Sequence, residues 1–180
     1  DQLADITFEE RDLPPFAELL SAYPTSGYWD YLKARRVPMD YPYMIQVQND
    51  GIHWTRPHIV IPFTHHDRIV GYTCRFIDAK APKYISDAQP NYVFGTDLQH
   101  DSWQYAIVVE GIFDALSIAG LAVMHNAISD GQARLIRGLG KDIIVVPDQD
   151  EAGLALIDRA VELGWSVSIP DWPADVKDVN

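Results

Sequence analysis

"DIIVVPDQDEAG", residues 142–153, decides how this chain is read. Four β-branched residues, Ile143 to Val146, run into Pro147, as in a short buried strand that stops abruptly. Asp148 and Asp150 follow at a spacing of two, with Glu151 beside them. If the stretch stays extended, the side chains of Asp148 and Asp150 point the same way. Carboxylates this close repel one another, so a cation must neutralise them or some of them must serve another purpose. "EAGLALIDRAVELG" (151–164) then carries Leu154, Ile157, Ala160 and Val161 on one helical stripe.

The same alternation extends on both sides. "YAIVV" (105–109) reads as a buried strand, 112–121 as a helix, 122–128 as a strand, 131–139 as a helix and 166–170 as a last strand. Strands alternating with helices across short connections predict an α/β fold, a parallel sheet flanked by helices, over 103–180. Residues 1–102 read as a smaller α+β subdomain. A short helix is expected within 8–24, where Pro14 and Pro15 suit a first turn, and another within 26–38, with Ser26 as cap. Residues 52–63 and 68–78 alternate like two strands joined by "THHD", an antiparallel hairpin, and 79–91 read as a loop.

Composition narrows the classes. With 180 residues, 47% of them hydrophobic, the chain can bury a core. No apolar run approaches the roughly 20 residues of a membrane span, so no membrane association is expected. The start at Asp1 and the stop at Asn180 within a polar motif suggest a piece of a longer protein. One cysteine, Cys74, excludes an intrachain disulfide and a Cys-rich zinc site, fits a reducing compartment, and reads as a buried structural thiol. The net charge of −12 by itself argues against nucleic-acid binding. Both halves are acidic, 14 acids against 9 bases in 1–102 and 12 against 5 in 103–180, so the balance does not place a site.

The chemistry concentrates at strand ends. Glu110 ends the first parallel strand, and Gly111 would allow a sharp turn into the helix. Ligands of open parallel sheets bind outside the carboxyl ends of strands, where Glu110, Asp148 and Asp150 would converge. An all-oxygen donor set favours Mg²⁺ or Mn²⁺, which suits phosphoryl transfer. The competing reading makes Asp148 and Asp150 a turn and a helix cap, with Asp114 and Glu151 complementing helix dipoles. Adjacent strand residues face opposite ways, so His65 and His66 read as turn chemistry and not as a metal pair. Tyr28, Trp29 and Leu32 read as core, while Trp54 and Trp172 suit either packing or base stacking.

"VVEGIFDALSI" (108–118), "AISDGQARLIRGL" (127–139) and "VVPDQDEAG" (145–153) together resemble the Toprim family of primases, topoisomerases and nucleases. Upstream, "IVIPFTHHDRIVGYTCRFID" (59–78), "APKYISDAQPNYVFG" (81–95) and "YWDYLKARRVP" (28–38) resemble DnaG-type bacterial, phage and plasmid primases and primase-helicases, with Arg36 where that family usually has Gly. The resemblance implies a Rossmann-like Toprim domain and template-directed RNA primer synthesis on single-stranded DNA from ribonucleoside triphosphates. It implies Glu110, Asp148 and Asp150 as catalytic acids. Glu110 would bind metal or assist deprotonation of the primer hydroxyl. Asp178 would be a further metal ligand, and Asp114 a supporting acid. Arg75 and Lys83, with Lys177, would bind nucleotide or DNA. Asn180 stands where a second Asp is often found. A replicative helicase, fused or separate, is the implied partner, in the bacterial cytoplasm, and no zinc is expected here. A Toprim nuclease and a non-catalytic interaction module are the alternatives.

Overall fold

In the computed structural model, residues 5–47, 56–125 and 127–180 are described. Trp54 and the start of the expected strand at 52–63 lie outside them. The chain divides into two compact units, Phe8–Pro90 and Asn91–Asn180, the latter with residues 5–7. The segment 91–102, grouped on sequence with the first half, therefore belongs to the second unit, where Phe94 bridges Ala122.

The first unit is an antiparallel sheet of β1 (Ala17–Leu19), β2 (Met44–Gln46), β3 (His58–His65), β4 (Arg68–Phe76) and β5 (Tyr84–Asp87), in that order, with helix α1 (Tyr28–Ala34). The expected hairpin is β3–β4. Its turn residues His66 and Asp67 take φ of 49° and 61°, the paired left-handed conformation that matches the twist of the strands. Because His66 has left the strand, its ring stacks on that of His65 at 4.1 Å and does not point to the opposite face. Pro62 is tolerated in the central strand because β2 pairs with β3 only at Met44↔Val60, and Tyr41 Oη donates to the Pro62 carbonyl at 2.8 Å. The expected helix within 8–24 is instead β1 followed by one 3₁₀ turn, Leu20–Ala22. Pairing of Ala17 to Leu19 with β2, and the bond from Leu20 N–H to Tyr43 O at 2.9 Å, outweigh local helical spacing. The loop at 79–91 likewise yields an edge strand, β5, that its partner β4 imposes. Leu32, Ile59, Ile61 and Phe63 are fully buried, while Tyr28 and Trp29 are only half-buried. Cys74 is fully buried, and burial pushes its thiol up to about 12.

Gly71 makes β5 possible. A Cβ there would stand 2.1 Å from the Asp87 carbonyl oxygen, a main-chain atom with little room to yield. Gly71→Ala is expected to cost about 2 kcal/mol by prising β5 from β4. Amide exchange at Tyr84–Asp87 should accelerate while β3 stays protected.

The second unit holds β6 (Tyr105–Val109), α2 (Ile112–Ile118), β7 (Leu121–Ala122), α3 (Asp130–Arg137), β8 (Asp142–Val145), α4 (Gly153–Leu163) and β9 (Ser166–Val167). These four strands pair in parallel, in the order β7-β6-β8-β9. The strand expected at 122–128 ends at Ala122, since Met124 takes φ of 66° and turns its N–H to Glu110 O at 2.8 Å. The buried face joins Val108, Val145, Leu121, Ile136 and Leu156. Ser129 and Gln132 close a capping box on α3, and Gln132 Nε2 also ties Tyr92 O and Val123 O into the core. No helix among the described residues is long and apolar enough to cross a membrane.

Candidate active site

Placing β6 beside β8 brings their carboxyl ends together. Val146 N–H continues the pairing to Val108 O at 2.8 Å, and two residues on, Asp148 N–H donates to Glu110 Oε2 at 2.9 Å. Glu110 is thus fixed to the main chain of the loop that carries Asp148. Asp114, in the first turn of α2, is buried. Single oxygens of Asp114, Asp148 and Asp178 lie within 4.8 Å of one another. The C-terminal segment delivers Asp178. Gln149 N–H bonds to Lys177 O at 2.6 Å, Asn180 N–H to Asp114 Oδ1 at 3.0 Å, and Asn180 Nδ2 to Ser117 Oγ at 2.7 Å.

Crowding of like charges disfavours ionisation. Burial first, then Glu110, Asp114 and Asp178, push the Asp148 carboxyl up to about 7, against the opposing pull of Lys177. For Lys177, burial pulls the ammonium down, and Asp150, Asp148 and Asp178 outweigh it and raise it. Oxygen-only donors, negatively charged and partly desolvated, fit a hard divalent cation.

Asp150 does not join the group. The chain turns over Gln149–Ala152, so the extended geometry that would align Asp150 with Asp148 is lost. Asp150 Oδ1 instead accepts the N–H of Gly153, the first residue of α4, at 3.1 Å, and its Oδ2 faces Lys177 Nζ at 3.4 Å. Gly111 also has a different purpose from the one expected. Its φ of −93° and ψ of 151° suit any residue, but a Cβ would meet Asp114 Oδ2 at 2.6 Å. The Gly leaves space for the Asp114 carboxylate. Asp114 itself lies in the first turn of α2, three residues after Gly111.

In the first unit, Arg75 Nε donates to Tyr31 Oη at 3.1 Å, and its guanidinium lies 4.6 Å over the Tyr84 ring. Arg35, which sequence reasoning passed over, donates to the same Tyr31 Oη at 3.1 Å. The spacing is visible in the sequence, since Arg35, the residue that caps the end of α1, is four after Tyr31. Lys83 is exposed, next to Tyr84, and its carbonyl accepts the Phe76 N–H at 2.9 Å.

Residues 107–180 match the Toprim-like family. The chain is 27% identical over 132 residues to the DNA primase of Aquifex aeolicus, covering 64% of this chain and 26% of that protein. It is 28% identical over 122 residues to the DNA primase of Myxococcus xanthus, covering 58% and 20%. The chain thus spans about a quarter or less of the DNA primases it matches. Among solved structures, the Aquifex aeolicus primase (zinc binding and RNA polymerase domains) superposes with a TM-score of 0.67 at 19% identity, over 86% of this chain and 52% of that one. The primase fragment of the bacteriophage T7 primase-helicase protein gives 0.59 at 17% identity, over 99% and 76%. The mixed α/β architecture is therefore that of primase catalytic cores.

Proposed function

We propose that this chain carries the nucleotidyl-transfer centre of a DNA primase, which joins ribonucleotides on a single-stranded DNA template with Mg²⁺ or Mn²⁺. One observation carries the reading: oxygens of Asp114, Asp148 and Asp178 lie within 4.8 Å of one another, in a segment that matches the Toprim-like family. These three would hold the cation, which when bound stabilises charge developing on the transferred phosphate. Glu110, anchored through Oε2, offers Oε1 as acceptor for the proton of the primer 3′-hydroxyl. Arg35, Arg75 and Lys83 supply cations on the first unit for the phosphates of nucleic acid. A replicative helicase, fused or separate, is the partner this reading implies, and its likeness to the T7 primase-helicase fragment supports it.

The test incubates the chain with single-stranded DNA, labelled ribonucleotides and Mn²⁺. Oligoribonucleotides are expected, and Asp114→Asn should reduce them by about a hundredfold or more. DNA cleavage without synthesis would make the site a nuclease. Calorimetry that detects no Mn²⁺ binding would overturn both.

A further inference from the structure

The acids of this edge divide into two groups. Asp114, Asp148 and Asp178 converge. Asp150 is turned away, with Oδ1 given to the Gly153 N–H and Oδ2 to Lys177. The Lys177 ammonium lies 3.4 Å from Asp150 Oδ2 and 3.9 Å from Asp148 Oδ2, so it stands between both carboxylates of Asp-x-Asp. That placement does not depend on a long side chain alone. The Lys177 carbonyl accepts the N–H of Gln149, the middle residue of the same motif, at 2.6 Å. The backbone of the lysine is clamped to the pair of charges that its side chain bridges. The Asn180 side chain adds no carboxylate, and its amide donates to Ser117 Oγ.

We infer that Lys177 is the resident cation of Asp-x-Asp and takes the place there of a second divalent ion. The site then loads a single Mg²⁺ or Mn²⁺, on Asp114, Asp148 and Asp178. This rests on the metal-dependent reading above and makes Lys177 a specificity-determining residue. A second divalent ion would need several oxygens at about 2.0–2.6 Å, whereas one Asp150 oxygen accepts the Gly153 N–H and the other faces an ammonium. Lysine suits the task as a compact point charge on a flexible stem. It can stay between the aspartates or turn to a phosphate oxygen.

Titration with Mn²⁺, read by electron paramagnetic resonance and by calorimetry, tests the inference without reference to activity. About one equivalent is expected to bind, and none in Asp148→Asn. Asp150→Asn should keep that number, with affinity lowered by no more than about tenfold. Lys177→Met should admit a second, weaker equivalent, and Lys177→Arg should not. Lys177 has 61% of its side chain exposed, so its variants are expected to fold, which circular dichroism checks. Two equivalents in the unmodified chain, or one still in a folded Lys177→Met, would overturn the inference and leave metal dependence standing. No bound Mn²⁺ in the unmodified chain would overturn the metal-dependent reading itself.

Discussion

Asp148→Asn is expected to stabilise the metal-free protein at neutral pH while abolishing its uptake of Mn²⁺. The sign follows from proton linkage. Burial and the neighbouring carboxylates of Glu110, Asp114 and Asp178 hold the Asp148 carboxyl at about 7, against about 3.9 in an unfolded chain. Between those values the folded chain keeps a proton that the unfolded chain has released. The contribution of this group to stability therefore falls as pH rises through the window, and the deficit is complete above about pH 7. Its ceiling is about 4 kcal/mol, reached only if Asp148 bears the whole strain of the cluster. In chelator, the melting temperature of the unmodified chain should drop more steeply between about pH 4 and pH 7, the span of the shift, than that of Asp148→Asn. Mn²⁺ should reverse the order. At a hundred times its dissociation constant it adds about 2.7 kcal/mol to a chain that binds it, and nothing to the variant. A variant that melts below the unmodified chain at pH 8 in chelator would assign Asp148 a structural task, contrary to the cation site.

Much of this site is legible in the sequence because it depends on strand ends. Two runs of β-branched residues, each leading to an acid, become adjacent parallel strands, and adjacency alone brings Glu110 to Asp148. What the sequence conceals depends on turns and on partners. Period-two spacing aligns Asp148 and Asp150 only in extended chain, and a turn over 149–152 removes that condition. The Asp150 carboxylate then finds the amide of Gly153. Strands β1 and β5 are too short to announce themselves and exist because β2 and β4 offer them hydrogen bonds. Gly111 looks like a backbone device, but its conformation is ordinary, and only the position of the Asp114 carboxylate explains it. Lys177, far along the chain, reaches the site through a main-chain bond to Gln149 that no side-chain pattern encodes. Periodicity thus predicts the scaffold, while the division of work among the acids comes from contacts between distant segments.

Gly153→Ala should damage the site more than its size suggests. The residue opens α4, where alanine is ordinarily the better helix former. Here a Cβ would stand 1.9 Å from the Asp148 carbonyl oxygen and 3.0 Å from its carbon. Those are main-chain atoms, so no side-chain rotation relieves the clash. Either α4 or the Asp148 peptide must move. The clashing carbonyl shares its peptide with the Gln149 N–H that bonds Lys177 O, and the N–H of Asp148 itself holds Glu110. The Asp148 carboxylate enters the cluster, and the Gly153 N–H is also the one that Asp150 Oδ1 accepts. Forced displacement in a packed setting costs about 1–3 kcal/mol. A misplacement of the order of 1 Å at a reacting centre costs about a hundredfold in rate. Both losses are expected together, a lower melting temperature and a fall of that size in the proposed primer synthesis, with weakened Mn²⁺ binding. Gly27→Ala is the control, since nothing lies within 4 Å of a Cβ there and its φ of −64° suits alanine. It should leave both properties unchanged. If Gly153→Ala melted lower yet bound Mn²⁺ as the unmodified chain does, the clash would be absorbed by α4. The close approach of Gly153 to Asp148 would then serve packing and have no part in setting the acids.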